Sequence, residues 1–241
     1  MFMKKLIVAA VFIVLLISLS ACAGLPTAGN GQMTDGSFAY TGAITKIEVS
    51  GVTATLNVMP EDSGAVTYTV DSNLKDLLKI TYQDGVLGIT TTNNKSITSK
   101  GIVFNIGAAA LEAVTVDGAA DVKGNGTFTA NAFTLEINGA GSAELALGAQ
   151  SVSVTLNGAG DITLSGTSDQ LSINSSGAAT VSARDLTAQD VKVVLDGAGT
   201  IQVTAEKTLD AKVSGVGSVT YWGDPTVTES TEGASSVVKG S

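Results

Sequence analysis

One short phrase recurs seven times in this sequence, and nothing else constrains the fold as strongly. It reads Asp117-Gly118-Ala119-Ala120-Asp121-Val122, then Asn138-Gly139-Ala140-Gly141-Ser142-Ala143 and Asn157-Gly158-Ala159-Gly160-Asp161-Ile162. Next come Ser176-Gly177-Ala178-Ala179-Thr180-Val181, Asp196-Gly197-Ala198-Gly199-Thr200-Ile201 and Ser214-Gly215-Val216-Gly217-Ser218-Val219. A worn seventh copy is Glu232-Gly233-Ala234-Ser235-Ser236-Val237. The first glycines, from 118 to 233, are spaced 21, 19, 19, 20, 18 and 18 residues apart. Such a period marks a repeat architecture in which equivalent positions stack.

The columns of the repeat give the geometry. Four residues before each glycine stand Val114, Leu135, Val154, Ile173, Val193 and Ala211. Two before it stand Val116, Ile137, Leu156, Ser175, Leu195 and Val213, and four after it Val122, Ala143, Ile162, Val181, Ile201 and Val219. Polar residues such as Thr115, Thr155 and Glu144 lie between them. This period-two alternation on both sides of a glycine corner is the pattern of half-buried strands. The residue after the glycine is Ala in six copies and Val in one, which reads as an interior stack with room for a methyl group. Nineteen residues cannot hold a βαβ unit, which needs about 30. Hairpins would not keep one corner phrase at a constant period. The pattern predicts an all-β, single-stranded parallel β-helix, a solenoid of about 19-residue coils. Six steps of about 4.8 Å make this part of the rod about 29 Å long.

Residues 44–106 are less regular. Strands are expected at 44–49, 53–58, 66–70, 80–82, 86–91 and 102–106, with a helical turn within 73–78. Tyr82-Gln83-Asp84-Gly85-Val86 is a hairpin signal. Segment 38–108 reads as a strand cap over the first coil, and 109–241 as the coils themselves in the same domain. A cap is needed because a bare terminal coil exposes strand edge and core. Tyr221, Trp222 and Pro225 are expected to help close the far end.

The amino terminus is an address. Lys4 and Lys5 precede an apolar run from Leu6 to Ile17, too short for a comfortable membrane span of about 20 residues. A charged start, a short apolar core and small residues make a secretory signal. Leu19-Ser20-Ala21-Cys22 is similar to the bacterial lipobox. That likeness implies cleavage before Cys22 and lipid transfer to its thiol. Residues 1–21 are then a signal peptide, and 22–37 a lipidated cysteine with a small, polar, flexible tether. The expected location is extracytoplasmic, held to a bacterial membrane by the anchor, since two acyl chains suffice for stable attachment.

The repeated phrase behind such a signal resembles the bacterial family called putative auto-transporter adhesin, head GIN domain. The resemblance covers roughly residue 44 to the end. It implies a right-handed single-stranded β-helix, akin to pectin-lyase-like helices without their catalytic residues, and a role in adhesion. Ala120 and Ala179 at the second glycine and Ser175 in an apolar column depart from the pattern.

Composition narrows the chemistry. The chain has no His and one Cys, which excludes Ser-His-Asp and Cys-His triads, His-ligated metals, intrachain disulfides and thiolate clusters. A net charge of −9 argues against nucleic acid as a partner. The nearest approach to a catalytic cluster is Arg184-Asp185 with Asp190 and Lys192, and it holds no positioned base or nucleophile. The chain therefore reads as a non-enzymatic envelope lipoprotein without cofactor or metal, an adhesin or a scaffold for a glycan or a surface protein. The rival is a polysaccharide-active enzyme on the same fold.

Candidate binding residues are Asn138, Asn157, Asp161 and Asp196 in the corner columns and the aromatic pair Tyr221 and Trp222. Stacked corner oxygens could gather Ca²⁺, which takes six to eight oxygen ligands. The same Asn, Asp and Ser types also bond local backbone and one another along a ladder. The aromatic pair could stack on a sugar or plug a coil end.

Overall fold

The computed structural model describes residues 26–99 and 101–241. Cys22 and the signal segment lie outside them. The chain is all-β, a curled mixed sheet with two short 3₁₀ turns and no α-helix among the described residues. No helix there is long and apolar enough to cross a membrane.

Ten strands follow in chain order: β1 (Thr27–Ala28), β2 (Met33–Ala39), β3 (Lys46–Met59), β4 (Ala65–Asp71), β5 (Leu78–Gln83), β6 (Val86–Thr91), β7 (Ile97–Thr98), β8 (Val103–Gly107), β9 (Ala113–Trp222) and β10 (Thr226–Lys239). The 110-residue β9 holds the first six copies of the phrase. Its last copy lies parallel under β10, with Gly233 on Gly215 and Val237 on Val219, an 18-residue offset equal to the period there. Its first copy lies parallel on β3, with Ile47 beside Val114 and Leu56 beside Val122. We call each such layer a rung.

The corners explain why rungs overlie one another. Gly158 has φ +138°, outside the range of L side chains, and a Cβ there would collide with the carbonyl oxygen of Gly139 one rung away. Gly139 meets Gly118 in the same way, and Gly177 meets Gly158. The apolar columns point inward: Leu135, Val154, Ile173 and Val193 are buried, as are Ile137, Leu156 and Leu195. Ser175 is buried among them, and its hydroxyl has no partner.

The alanine column departs from expectation. Ala140, Ala159, Ala178 and Ala198 are exposed, and Val216 is 63% exposed. The crowded positions are the glycines on either side. A Cβ on Gly160 would strike the carbonyl oxygen of Gly141, and one on Gly199 that of Ala179.

The amino-terminal segment is more ordered than its sequence suggests. β3 is itself a rung, with Gly51 at the corner (φ +69°) and a bulge that sets two residues, Gly51 and Val52, against Gly118. On its other side run β6 and β8, both parallel to it. Beyond them the direction reverses. β5 pairs antiparallel with β6, β4 with β8, and β2 with β4. The β5–β6 hairpin turns at Asp84 and Gly85, both with positive φ, as the Asp-Gly signal implies. The helical turn is Lys75–Leu77.

The segment expected to be a free tether needs correction. β1 pairs with β7 and β2 with β4, so the chain is bound into the sheet from Thr27 onward. Buried Asp71 fastens this arm: its carboxylate accepts the Gly31 N–H at 2.6 Å and the Ser99 hydroxyl. Both bonds favour the charged form. They hold its pKa below the usual carboxylate range.

Candidate functional site

The corner columns form a ladder of side chains. Asn138 Nδ2 donates to Asp117 Oδ1 at 2.8 Å, Asn157 Nδ2 to Asn138 Oδ1 at 2.8 Å, and Ser176 Oγ to Asn157 Oδ1 at 2.9 Å. Ser214 Oγ donates to Asp196 Oδ1 at 3.0 Å. In the column three residues past the glycine, Ser142 Oγ donates to Asp121 Oδ1 at 2.6 Å. Each amide or hydroxyl uses its donor on the oxygen one rung away. Among the described residues no three carboxylates converge to hold a metal. Asp161 is exposed on this side and makes no side-chain hydrogen bond among the described residues.

Tyr221 and Trp222 sit where β9 ends. The Arg184 guanidinium carbon stands 4.3 Å from the centre of the Trp222 ring, a cation–π contact. The carboxy-terminal tail passes the ring so closely that a Cβ on Gly240 would collide with its Nε1 edge. Gly240 N–H donates to Tyr221 O at 2.7 Å and pins that tail. The indole Nε1 is buried without a partner. Trp222 is thus half-buried at the turn into β10, in contact with Arg184 and close to the last residues.

Of the residues grouped for a lyase-like reaction, Asp190 and Lys192 share one cavity. Arg184 lies on Trp222, and Asp190 accepts the Thr208 hydroxyl at 2.6 Å. None of Arg184, Asp185, Asp190 and Lys192 makes an ion pair among the described residues, where the two pairs are Lys46–Glu48 and Lys239–Asp224. The second of these holds Asp224 low and Lys239 high.

A surface that the sequence reading passed over lies a few residues before the ladder. Two adjoining cavities of about 340 and about 360 Å³ share Ser151 and Gln170 and form a furrow along several rungs. Its signal was present at the same period, as outward columns containing Ser151, Gln170 and Asp190, and Ser153, Ser172 and Lys192.

Residues 43–225 match the sequence profile of the family described as putative auto-transporter adhesin, head GIN domain. The chain belongs to this family. The GIN-domain match spans the rung β3, the cap and the repeats through the end of β9. No curated protein matches the sequence. Solved structures resemble this GIN-domain chain in fold. One described as a putative adhesin from Bacteroides fragilis superposes with a TM-score of 0.80 at 22% identity, over 88% of this chain and 99% of its own. A putative lipid binding protein from Parabacteroides distasonis gives 0.70 at 21% identity, over 90% and 100%. A putative adhesin from Parabacteroides merdae gives 0.60 at 18%, over 89% and 99%.

Proposed function

We propose that this chain is a lipid-anchored protein of the bacterial cell envelope that binds an envelope glycan or a surface protein and catalyses nothing. Its rungs wind as a right-handed, single-stranded parallel β-helix. The 18-residue register of β10 on β9 and the ladder bonds between residues 19 to 21 apart support that winding. The anchor is Cys22, only five residues before β1. An extended chain advances at most about 3.6 Å per residue, so the cap end sits within about 18 Å of the lipid and the far rungs project outward.

The observation that carries the binding reading is the corner ladder. Asp117, Asn138, Asn157 and Ser176 are bonded to one another along it, and no three acidic side chains gather as a metal site among the described residues. The adhesin description of the family points the same way. The test is a binding screen of the full-length chain against envelope fractions and purified glycans, with lipid labelling of Cys22→Ser in parallel. Specific capture by an envelope fraction without turnover supports the reading, as does loss of label in the variant. Turnover of a captured glycan, or unchanged label, contradicts it.

A further inference from the structure

The furrow differs from the ladder in that, besides Thr208 donating to Asp190, most of its polar side chains are left unbonded. Between its outward columns run Val152, Leu171 and Val191, whose side chains are buried in the core. Its walls carry Gln170, Ser153, Ser172 and Lys192, exposed side chains that make no hydrogen bond or ion pair to other described residues. On the ladder, side chains of the same kinds at similar exposure are bonded to one another at 2.8 to 2.9 Å. The adjoining cavity extends the furrow with the amides of Asn131 and Gln150.

We propose that this furrow binds an uncharged glycan chain laid along the stack. The proposal names the ligand class for the binding reading above and rests on it. Amides and hydroxyls both donate and accept, which suits sugar hydroxyls that do the same. Rungs advance about 4.8 Å, close to the step of one sugar in an extended chain, so successive sugars meet equivalent groups. Charge selects against acidic chains: Asp169, Asp190 and Asp210 border the furrow against one Lys192, on a chain of net charge −9. A peptide fits less well, because peptide capture by a sheet uses a free strand edge, and these rungs lie mid-stack.

The test titrates the full-length chain in mild detergent with β-linked hexasaccharides of glucose and of N-acetylglucosamine. A polygalacturonate hexasaccharide serves as the anionic probe. Ser172→Trp fills the furrow, Gln170→Ala removes one amide, and Thr163→Ala, exposed outside the furrow, is the control. A neutral hexasaccharide should bind, weakened about tenfold or more by Ser172→Trp and about fivefold by Gln170→Ala, with the control unchanged. Gln170→Ala keeps the test informative if the tryptophan disturbs folding. Binding that ignores both furrow variants overturns the proposal, as does preference for the anionic probe or displacement by a peptide. If no neutral sugar binds but envelope fractions are still captured, the furrow assignment falls and the binding reading stands. If nothing is captured, both fall.

Discussion

At the amino-terminal end the outermost parallel rung, β6 with β8, is covered by β5 and β4 running the other way. At the opposite end β10 has one neighbour, and nearly all its residues are exposed. The first end is sealed by strands that cannot continue the parallel register, backed by Phe104 against Tyr68 and by the Asp71 latch. Among the described residues no strand lies over the second end. There the inward columns change character instead: Glu229 stands in register with Ala211, Thr231 with Val213, and Lys239 with Tyr221. Another rung stacked on β10 would have to bury Glu229, which has no ion-pair partner among the described residues, and disturb the Lys239–Asp224 pair, and burying an unpaired charge is costly. Inward charges are a known defence of open sheet edges. One ladder is thus stopped in two ways, by an insertion of strands and by three polar substitutions.

Truncation of the core should separate the ends most sharply. Phe104→Ala at the sealed end should cost about 3–5 kcal/mol, whereas Val237→Ala on β10 should cost about 1 kcal/mol or less. Equal losses in urea unfolding would mean that β10 is as integral as the cap. The corners give the next contrast. Gly158→Ala, mid-stack with φ +138°, should cost about 2–3 kcal/mol. Gly233→Ala should cost less, because β10 can lift away from Gly215, and exposed Ala159→Leu should be nearly neutral. Calorimetric melting of the three variants checks that order.

Removing the polar stop should change association rather than stability. Glu229→Val with Thr231→Val and Lys239→Val should turn a monodisperse chain into one whose mass rises with concentration in light scattering. An unchanged mass would show that something other than these side chains ends the stack.

Acid should produce the smallest effect, confined to the sealed end. Asp71 has its folded pKa lowered, so its contribution is complete above the unfolded value of about 3.9 and is lost as pH falls through the folded one. Urea midpoints measured down that range should fall, and Asp71→Asn should remove that part of the fall. Asp224 is also held low, by Lys239, but it is fully exposed, so Asp224→Asn should leave the acid limb as it was.

The repeat made the columns legible because each residue's role is fixed by its neighbours one period away. The rung in β3 was harder to see. Ile47-Glu48-Val49-Ser50-Gly51 has the right pattern, but 67 residues separate Gly51 from Gly118, and the bulge at Val52 breaks the spacing after the corner. The small residues at 26–37 resemble a linker by composition, yet their backbone groups are used by β4, β7 and Asp71, which composition does not reveal. The alanine column misled for another reason. Smallness was read as confinement, although counting by twos from Leu156 through Gly160 to Ile162 already places Ala159 outside. Of the candidate binding residues, the ladder positions were identifiable as a column, while their mutual bonding depended on geometry. The furrow needed the shape of three neighbouring rungs.

The central claim is that successive copies stack in parallel, one strand spacing apart. Spin labels on one outward column test it directly, at Glu136 with Lys212 and at Glu136 with Ser230, four and five rungs apart. Distances of about 19 and about 24 Å, growing by one strand spacing per rung, are the expected result. Separations that fail to grow with rung number, or that alternate between near and far as in a meander of hairpins, would contradict the stacked-rung account.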